Sequence, residues 1–446
     1  MDEQNKKLLG SVTIAPKIIE EVEAQVKDIY GFKKKIQDYL AENVTELLDV
    51  ILCGAITLDA SDVHIEPQEE EARLRIRLDG ILQDVIFFDH NAYHHLISRL
   101  KLLSKLKLNI TDKPQDGRFT IEIKELLIEV RTSSLPAEYG ESIVMRILNP
   151  KSLISLDELG LRDDLYATFK KEIEKPNGMI IVTGPTGAGK TTTLYAFLKK
   201  IQNPEIKIIT IEDPIEYHLQ GVSQTQVAPA KGYDFSDGLR SIVRQDPDVI
   251  LVGEVRDLET AKIALQAALT GHLVLSTLHT NDAAGTIPRL VDLGVDSSSI
   301  ASGLKMAVAQ RLVRKICKKC STLINPTTNQ LSEIKKGLKS LPKNIKIPDL
   351  DEVKIAKVKE GGCEVCNFTG YKGRQGLFEA FLVDSEMEKF ILTNPPVSSV
   401  RELAIKKGMV TMYQSGLIDV VLGKTTMEEI LRVVEEDEAQ PEISNS

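Results

Sequence analysis

Residues 184–191 of this 446-residue chain read Gly-Pro-Thr-Gly-Ala-Gly-Lys-Thr, which matches the pattern G-x-x-x-x-G-K-[ST]. The segment directly follows an apolar run at residues 179–183 that predicts a β-strand, and a helix-like segment comes after it. In this context glycines allow backbone N–H groups to face phosphate oxygens, and the N-terminus of the helix adds a positive dipole. The segment therefore predicts a nucleotide-binding phosphate loop at a strand-to-helix turn.

The chemistry of the loop assigns roles to two side chains. Lys190 can reach the β- and γ-phosphates of a nucleoside triphosphate, and the Thr191 hydroxyl can hold Mg²⁺. A purely structural glycine-rich turn is the alternative, which the flanking strand and helix signals disfavour. The residues predicted to bind the nucleotide are Gly184, Pro185, Thr186, Gly187, Ala188, Gly189, Lys190, Thr191 and Thr192.

A second Gly-Lys-Thr-Thr sequence, at residues 423–426, is interpreted differently. The glycine that precedes it, Gly416, lies seven residues before Gly423, whereas a phosphate loop requires five. Thr425 with Glu428, or Thr426 with Glu429, instead forms a capping box ahead of an apolar run. This segment therefore predicts the start of a helix and no phosphate site.

Composition limits the class of protein. The net charge of -9 argues against a dedicated nucleic-acid binder, and the 42% apolar content is that of a globular protein. The N-terminal residues lack the charged-then-apolar arrangement of a signal peptide, and no apolar run approaches the 18 residues needed to span a bilayer. We therefore expect a cytoplasmic protein whose membrane association, if any, is peripheral or through partners.

The length predicts more than one domain, and the pattern along the chain divides it into six segments. Strands that alternate with helices around the phosphate loop predict an α/β core with a parallel sheet. The segments are a helical N-terminal segment (1–40), a smaller α+β domain (41–150), the nucleotide-binding core (151–313), a cysteine-containing region (314–380), a helical region (381–436) and a disordered tail (437–446).

Two acidic elements follow predicted strands of the core. Residues 210–217 read Thr-Ile-Glu-Asp-Pro-Ile-Glu-Tyr, and ATP hydrolysis needs a carboxylate to orient or deprotonate the attacking water. The alternative is a solvated turn at which Pro214 ends a strand. Further along, the apolar run at residues 249–252 precedes Gly253 and Glu254, which resembles the arrangement in which a carboxylate holds the Mg²⁺ shell.

Two histidines bracket the predicted strand at residues 273–277. His272 lies at its start and His279 past its end, and both are expected near the γ-phosphate as sensors or donors. A zinc pair is disfavoured because a strand of that length separates the two residues by roughly 23 Å. A purely structural role remains the alternative for each.

Four of the five cysteines form two C-x-x-C pairs, Cys317 with Cys320 and Cys363 with Cys366. In a cytoplasmic chain such pairs favour a metal over disulfides, and four thiolates suffice for a closed tetrahedral Zn²⁺ site. Four unpaired buried thiols are the alternative. Cys53 lies in an apolar run and is most simply a small buried hydrophobic residue.

Together these motifs resemble the secretion ATPase superfamily, which powers type II secretion and type IV pilus assembly. The resemblance rests on the phosphate loop, the Glu-Asp-Pro-x-Glu box at residues 212–216, the Arg-x-x-Pro-Asp to Gly-Glu-x-Arg-Asp signature at 244–257 and the two-histidine box at 270–281. It extends over residues 47–434 and includes Ala-Ser-Asp-Val-His-Ile-Glu-Pro at 60–67.

The resemblance implies a RecA-like core that hydrolyses ATP with Mg²⁺. It makes Glu216 the general base and Glu254 the residue of the Mg²⁺ shell. It also implies that Arg131 and Arg146, on strands of the smaller domain, act as arginine fingers on the γ-phosphate. Three further arginines are weaker candidates, because charged residues at alternate strand positions usually face water: Arg75, Arg77 and Arg118.

The resemblance further implies a homo-hexamer that works on an inner-membrane platform protein and lies at the inner face of the cytoplasmic membrane. The four-cysteine motif resembles the pilus-extension and type II secretion branches, whereas retraction ATPases typically lack it. Only about 40 residues precede the matching region, so the additional N-terminal domain of many relatives is not expected.

The resulting prediction is a hexameric ATPase motor that assembles type IV pili or pilin-like filaments, with the type II secretion ATPase as the alternative. A pilus-retraction ATPase or a nucleic-acid translocase is less favoured. Acidic overall charge and the lack of a stripe of basic and aromatic residues count against nucleic acid as a partner.

Overall fold

The computed structural model describes residues 10–40 and 43–434. These residues divide into two compact units. The first runs to Ser152 and includes Glu360–Lys372, and the second comprises Leu153–Lys359 and the described residues from Gly373 onward. The segment at 437–446, for which disorder is predicted, lies outside the described residues.

The first unit contains a seven-stranded sheet with helices on one face. Its sheet order is β1-β5-β6-β7-β2-β3-β4, in which β1 runs parallel to β5 and the other neighbours are antiparallel. In chain order the elements are β1 (Ser11–Thr13), α1 (Pro16–Gln25), α2 (Ile29–Tyr39), α3 (Val44–Thr57), β2 (Asp62–Pro67), β3 (Ala72–Leu78), β4 (Ile81–Phe88), α4 (His90–Leu103), β5 (Gln115–Ile123), β6 (Leu126–Ala137) and β7 (Gly140–Leu148), followed by a 3-10 turn at Pro150–Ser152.

The period-two pattern of the strands explains why this sheet has one apolar and one charged face. On β3, Leu74 and Ile76 are buried, whereas the intervening arginines lie on the opposite face. The buried face packs against α1 to α4 in a single core that includes Val22 and Phe32 of the first two helices. On the charged face, arginines of β3 pair with carboxylates of the neighbouring strands, as Arg73 does with Glu66 at 2.7 Å.

The second unit carries the phosphate loop in a mixed α/β arrangement. In chain order its elements are α5 (Asp163–Ile173), β8 (Gly178–Thr183), α6 (Lys190–Ile201), β9 (Ile208–Glu212), β10 (Ser223–Gln226), α7 (Phe235–Val243), β11 (Val249–Val252), α8 (Leu258–Leu269), β12 (Leu273–Leu278), α9 (Thr286–Asp292), α10 (Ser297–Gly303), β13 (Leu304–Ile316), β14 (Thr322–Ile324), α11 (Thr328–Gly337), β15 (Ile355–Lys357), β16 (Tyr371–Leu382), α12 (Ser385–Ile391), α13 (Val397–Lys406), α14 (Met412–Val421) and α15 (Met427–Leu431). Short 3-10 turns lie at Leu156–Leu159, Pro229–Lys231 and, in the first unit, Glu364–Cys366.

The main sheet of this unit has the order β10-β9-β11-β12-β8-β13-β16. The neighbouring strands from β10 to β13 are parallel, which confirms the parallel sheet predicted from the alternation of strands and helices. Every residue of β8 is buried, as expected for a strand covered on both faces. Because parallel strands end at the same edge, the loops after β8, β9, β11 and β12 gather there.

The second Gly-Lys-Thr-Thr segment starts a helix, as interpreted from the sequence. Thr426 is the N-cap of α15, and its hydroxyl accepts a hydrogen bond from the Glu429 backbone N–H at 3.3 Å. Within residues 10–40 and 43–434, no helix combines the length and apolar character needed to cross a bilayer.

Candidate functional site

The loop between β8 and α6 has the backbone geometry of a phosphate cradle. Gly184, Gly187 and Gly189 have φ values of 146°, 80° and 88°, a region that residues with a Cβ rarely adopt. A Cβ on Gly184 would lie 2.6 Å from the Gln310 carbonyl oxygen, and one on Gly189 would lie 2.8 Å from Gln310 Nε2. The glycines are thus required both by the turn and by the close approach of β13.

Lys190 is the first residue of α6, and its side chain folds over the loop. Its Nζ donates to the carbonyl oxygens of Gly184 at 2.7 Å and Pro185 at 3.1 Å. Burial is the main cause that lowers the pKa of Lys190, and the positive charge of Arg311 lowers it further. The negative charges of Glu254 and Glu216 act in the opposite direction. The ammonium therefore lies where it can exchange carbonyl partners for phosphate oxygens.

The donor set around this loop fits a triphosphate with a divalent cation. The loop backbone and Lys190 supply cationic and N–H donors, and Thr191 and Thr192 lie in the first turn of α6 with partly buried side chains. Glu254 follows β11, which β12 separates from β8 in the sheet, and it is close enough to affect the pKa of Lys190. Hydroxyl and carboxylate oxygens are the ligands that Mg²⁺ prefers.

The two glutamates of the box after β9 have different environments. Glu212 is buried and accepts hydrogen bonds from Thr210 Oγ1 at 2.6 Å, from Gln224 Nε2 at 3.1 Å and from the Tyr195 hydroxyl. Glu216 lies in the following loop and, among the residues that the structure describes, makes no hydrogen bond or ion pair. Of the two glutamates, Glu216 is therefore the one that is available to a water molecule.

Glu254 belongs to a charged cluster at the same edge of the sheet. Its side chain is 14% exposed, accepts from Arg256 Nη2, and lies 3.5 Å from His279 Nε2. The hydrogen bond to Glu254 is the main cause that raises the pKa of Arg256, whose Nη1 also lies 3.9 Å from Asp213. Sequence reasoning had assigned no role to Arg256 or Asp213.

The structure brings His279, but not His272, to the edge that carries the phosphate loop. Leu278, just before His279, pairs in register with Thr183, just before the loop. His272 precedes the same strand, where its ring Nδ1 lies 3.0 Å from the Ala267 carbonyl oxygen. The length of β12 places it roughly 20 Å from the loop within one copy of the core.

Two residues beside the loop had no sequence motif to mark them. Gln310 is buried and accepts from Thr193 Oγ1 at 2.7 Å, and its neighbour Arg311 donates to the Asn281 carbonyl oxygen at 2.7 Å. Both follow a stretch of β13 that is paired with β8. Only the pairing of two strands far apart in the chain brings them to the loop.

In the first unit, the arginines proposed from the resemblance form a row across the charged face of the sheet. Arg118 pairs in register with Arg131, and Arg131 with Arg146. Arg146 in turn pairs with Asp62, whose carboxylate oxygens each lie 3.1 Å from a guanidinium Nε, one of Arg146 and one of Arg77. Glu129, on the same face of β6, lies 3.6 Å from Arg131 Nε. The four guanidinium groups therefore face two carboxylates, and the remaining positive charge favours an anion.

The four cysteine sulfur atoms lie within 4.8 Å of one another. Cys317 and Cys366 are buried, and Cys320 and Cys363 are partly buried. The Sγ of Cys366 accepts from the backbone N–H groups of Cys363 at 3.1 Å and of Gly370 at 3.2 Å, an environment that suits a thiolate. Four thiols so close together fit a tetrahedral Zn²⁺, for which Zn–S distances are ~2.3 Å.

The zinc assignment predicts that Cys320→Ser loses the metal. Mutating a residue that only hydrogen-bonds a metal ligand typically weakens metal binding about 10- to 100-fold. Loss of a direct ligand should therefore weaken zinc binding by more than ~100-fold. Elemental analysis of the purified variant measures this, and its thermal unfolding should begin at a lower temperature. Cys53→Ala is the control, because Cys53 lies alone in α3 and burial raises its pKa to about 11. A wild-type protein that contains no zinc would contradict the assignment.

Comparison with known proteins gives matches over most of the chain. A family model described as type II/IV secretion system protein matches residues 38–432. The chain is 41% identical over 394 residues to type II secretion system protein E of Xanthomonas campestris pv. campestris, covering 88% of this chain and 68% of that protein. It is also 41% identical over 383 residues to the type IV pilus assembly ATPase PilB of Thermus thermophilus, covering 85% of this chain and 42% of that protein.

Solved structures have a similar fold. The Legionella pneumophila ATPase DotB matches with a TM-score of 0.62 at 22% identity, covering 86% of this chain and 94% of DotB. The pilus retraction motor PilT with bound ADP matches with a TM-score of 0.57 at 27% identity, covering 86% of this chain and 96% of PilT.

Proposed function

The chain belongs to the type II/IV secretion system protein family, and from that premise we propose that it is an ATP-driven motor for the assembly of type IV pili or pilin-like filaments. The observation that carries the proposal is the meeting of the phosphate loop, Glu216 and Glu254 at one edge of the parallel sheet. A loop with an intact lysine and two carboxylates beside it is equipped for hydrolysis as well as for binding.

The residues of the second unit divide the work of hydrolysis. The loop N–H groups and Lys190 bind and orient the phosphates, while Thr191 and Glu254 would hold Mg²⁺, which neutralises charge on the phosphate oxygens when it is bound. The Glu216 carboxylate orients the attacking water and accepts its proton. His279 and Arg256 hold the Glu254 carboxylate in place through their contacts with it.

The arginine row of the first unit is the proposed source of the fingers. Arg131 and Arg146 would stabilise the negative charge that spreads over the transferring phosphoryl group, so their arrival would gate hydrolysis. The Asp62 carboxylate fixes the direction of the Arg146 side chain, of which 56% is exposed. We extend this proposal to Arg118, because it lies in the same row.

The proposal includes an assembly. We expect a homo-hexamer at the inner face of the cytoplasmic membrane, attached through an inner-membrane platform protein, with the zinc site in a structural role. The names of the relatives support the secretion or pilus role on which this assembly rests, and the cysteine cluster supports the zinc site. The net charge of -9 leaves nucleic acid an unfavoured partner.

Type II secretion is the second candidate for what the motor drives. The Xanthomonas protein is as similar as the Thermus pilus protein, and the chain covers a larger share of it, 68% against 42%. The type II secretion system ATPase E of Vibrio cholerae is 38% identical over 432 residues, which cover 95% of this chain and 83% of that protein.

Deleting the gene separates the two candidates. If the motor extends pili, electron microscopy should show cells without pili, and a copy of the gene that encodes the wild-type protein should restore them. If it drives secretion, the cells should keep their pili and retain exoproteins that the parent strain releases. A Lys190→Ala copy serves as the matched control and should restore neither trait. Unchanged pili together with an unchanged secreted-protein profile would contradict both candidates.

A further inference from the structure

Arg311 lies beside the phosphate loop, and none of the roles assigned above involves it. In β13, Ala309 pairs in register with Thr183, the last residue of β8, so Gln310 and Arg311 continue alongside the start of the loop. The Nη1 atom of Arg311 lies 3.3 Å from the point where a Cβ on Gly184 would stand. Gly184 is also the residue whose carbonyl accepts from Lys190, so both cations flank the same residue.

The hydrogen-bond partners of Arg311 leave its charge uncompensated. Nη1 donates to the Gln310 carbonyl oxygen at 3.1 Å and Nη2 to that of Asn281 at 2.7 Å. Among the residues that the structure describes, no carboxylate lies within ion-pair distance of this guanidinium. Shielding a charge from water is costly unless an opposite charge compensates it, so the site is suited to an anion.

The other arginines of the second unit support this interpretation. Six of them contact a carboxylate: Arg162, Arg240, Arg256, Arg314, Arg401 and Arg432. Three have no such partner but are exposed to water: Arg244, Arg289 and Arg374. In the described part of this unit, Arg311 alone is both partly shielded and without a carboxylate.

We propose that Arg311 contacts the terminal phosphate of bound ATP, as a cation supplied by the same chain that supplies the phosphate loop. The inference rests on the proposed ATPase function and adds a residue to its site. Arginine suits this position because its planar group can bond a phosphate oxygen while another N–H remains on a carbonyl. Through Nη2 and Asn281, the contact also joins the phosphate to the loop that carries His279.

A structural role for Arg311 gives a different expectation. If its purpose is only to hold the Asn281 loop in place, its loss disturbs the site for every nucleotide alike. A contact with the terminal phosphate is absent when ADP is bound. The ratio of the affinities for a non-hydrolysable ATP analogue and for ADP therefore separates the two roles, and overall stability does not affect it.

The test is calorimetric titration of the full-length protein with ADP and with an imido-bridged ATP analogue, each with Mg²⁺. Arg311→Gln should weaken analogue binding about 10- to 100-fold, the range for a hydrogen bond to a charged group, and leave ADP binding within about twofold. Arg311→Lys keeps the charge and should recover part of the loss. Arg289→Gln, an exposed arginine of α9 in the same core, is the control and should bind both as the wild type does.

Three outcomes overturn the inference. Equal losses for the two nucleotides would make Arg311 a residue that only positions the loop, and unchanged affinities would remove it from the site. If Arg311→Gln does not fold, Arg311→Lys decides, because a ratio of analogue affinity to ADP affinity no lower than that of the wild type contradicts a terminal-phosphate contact. A wild-type protein that binds neither nucleotide overturns the proposed function itself, which is distinguishable from the other results.

Discussion

Lys190→Ala is expected to lower ATP turnover by about 100- to 1000-fold, the usual effect of removing one donor that stabilises charge in the transition state. In the structure the ammonium bonds the carbonyls of Gly184 and Pro185, which places it at the loop that would hold the phosphates. Alanine removes this cation without altering the glycines that shape the loop. The measurement is steady-state phosphate release by the purified protein, with folding checked by circular dichroism.

The chain supplies a matched control for this variant. Lys424 occupies the same place in the second Gly-Lys-Thr-Thr segment, where its Nζ lies 3.0 Å from Asp419 Oδ1. Lys424→Ala should keep the turnover of the folded protein within about threefold of the wild type, because this segment serves only to start α15. Asp419 is buried, so loss of its cationic partner should destabilise the protein by more than the ~1 kcal/mol typical of an exposed ion pair, and turnover is compared per folded protein. Normal turnover in Lys190→Ala would contradict the assignment of the phosphate loop. Equal losses in the two variants would show a general effect on the fold.

The family and the type of fold were predictable from local sequence. The phosphate loop is encoded within eight residues, and the alternation of strands with helices indicates a parallel sheet regardless of strand order. The match of the family model to residues 38–432 confirms the resemblance inferred from these motifs. Each of these signals lies within a short stretch, so no long-range pairing had to be known.

The residues that were missed depend on pairings between distant strands. Arg311 and Gln310 reach the phosphate loop because β13 lies next to β8, although more than a hundred residues separate the two strands. The positions of the two histidines relative to the phosphate loop also depend on strand pairing. Both flank one strand, and only the registry of β12 with β8 reveals that His279 lies at the loop edge and His272 at the other.

The arginine row depends on register in the same way. No sequence pattern ranked Arg118 with Arg131 and Arg146, because an alternating charged residue on a strand usually faces water. Register places the three side by side on β5, β6 and β7 and adds Asp62 as the residue that holds Arg146. A shift of one residue in any of these pairs would move an arginine to the opposite face of the sheet.

Glu216→Gln is expected to keep nucleotide binding and lower hydrolysis about 100- to 10,000-fold, the range for loss of a general base. Glutamine has nearly the same shape but cannot accept the proton of the attacking water. Because Glu216 has no hydrogen bond or ion pair within the described residues, the change should leave the free energy of unfolding nearly unaltered. Binding of a fluorescent ATP analogue, phosphate release and thermal unfolding measure the three quantities.

Glu212→Gln, in the same box, is the comparison that makes this prediction specific. The Glu212 carboxylate accepts from Tyr195, Thr210 and Gln224 in a buried site. Glutamine replaces one charged acceptor oxygen by a donor, so the charge-assisted bonds are lost and a hydroxyl has to reverse its direction. The expected loss is ~1–3 kcal/mol of stability, with turnover falling only as far as the folded fraction does. If Glu216→Gln loses nucleotide binding instead, Glu216 has a structural role. If Glu212→Gln is instead the variant that stays stable and inactive, the general base is Glu212. Loss of a carboxylate needed for the fold lowers stability, whereas loss of one needed for proton transfer lowers turnover and leaves stability unchanged.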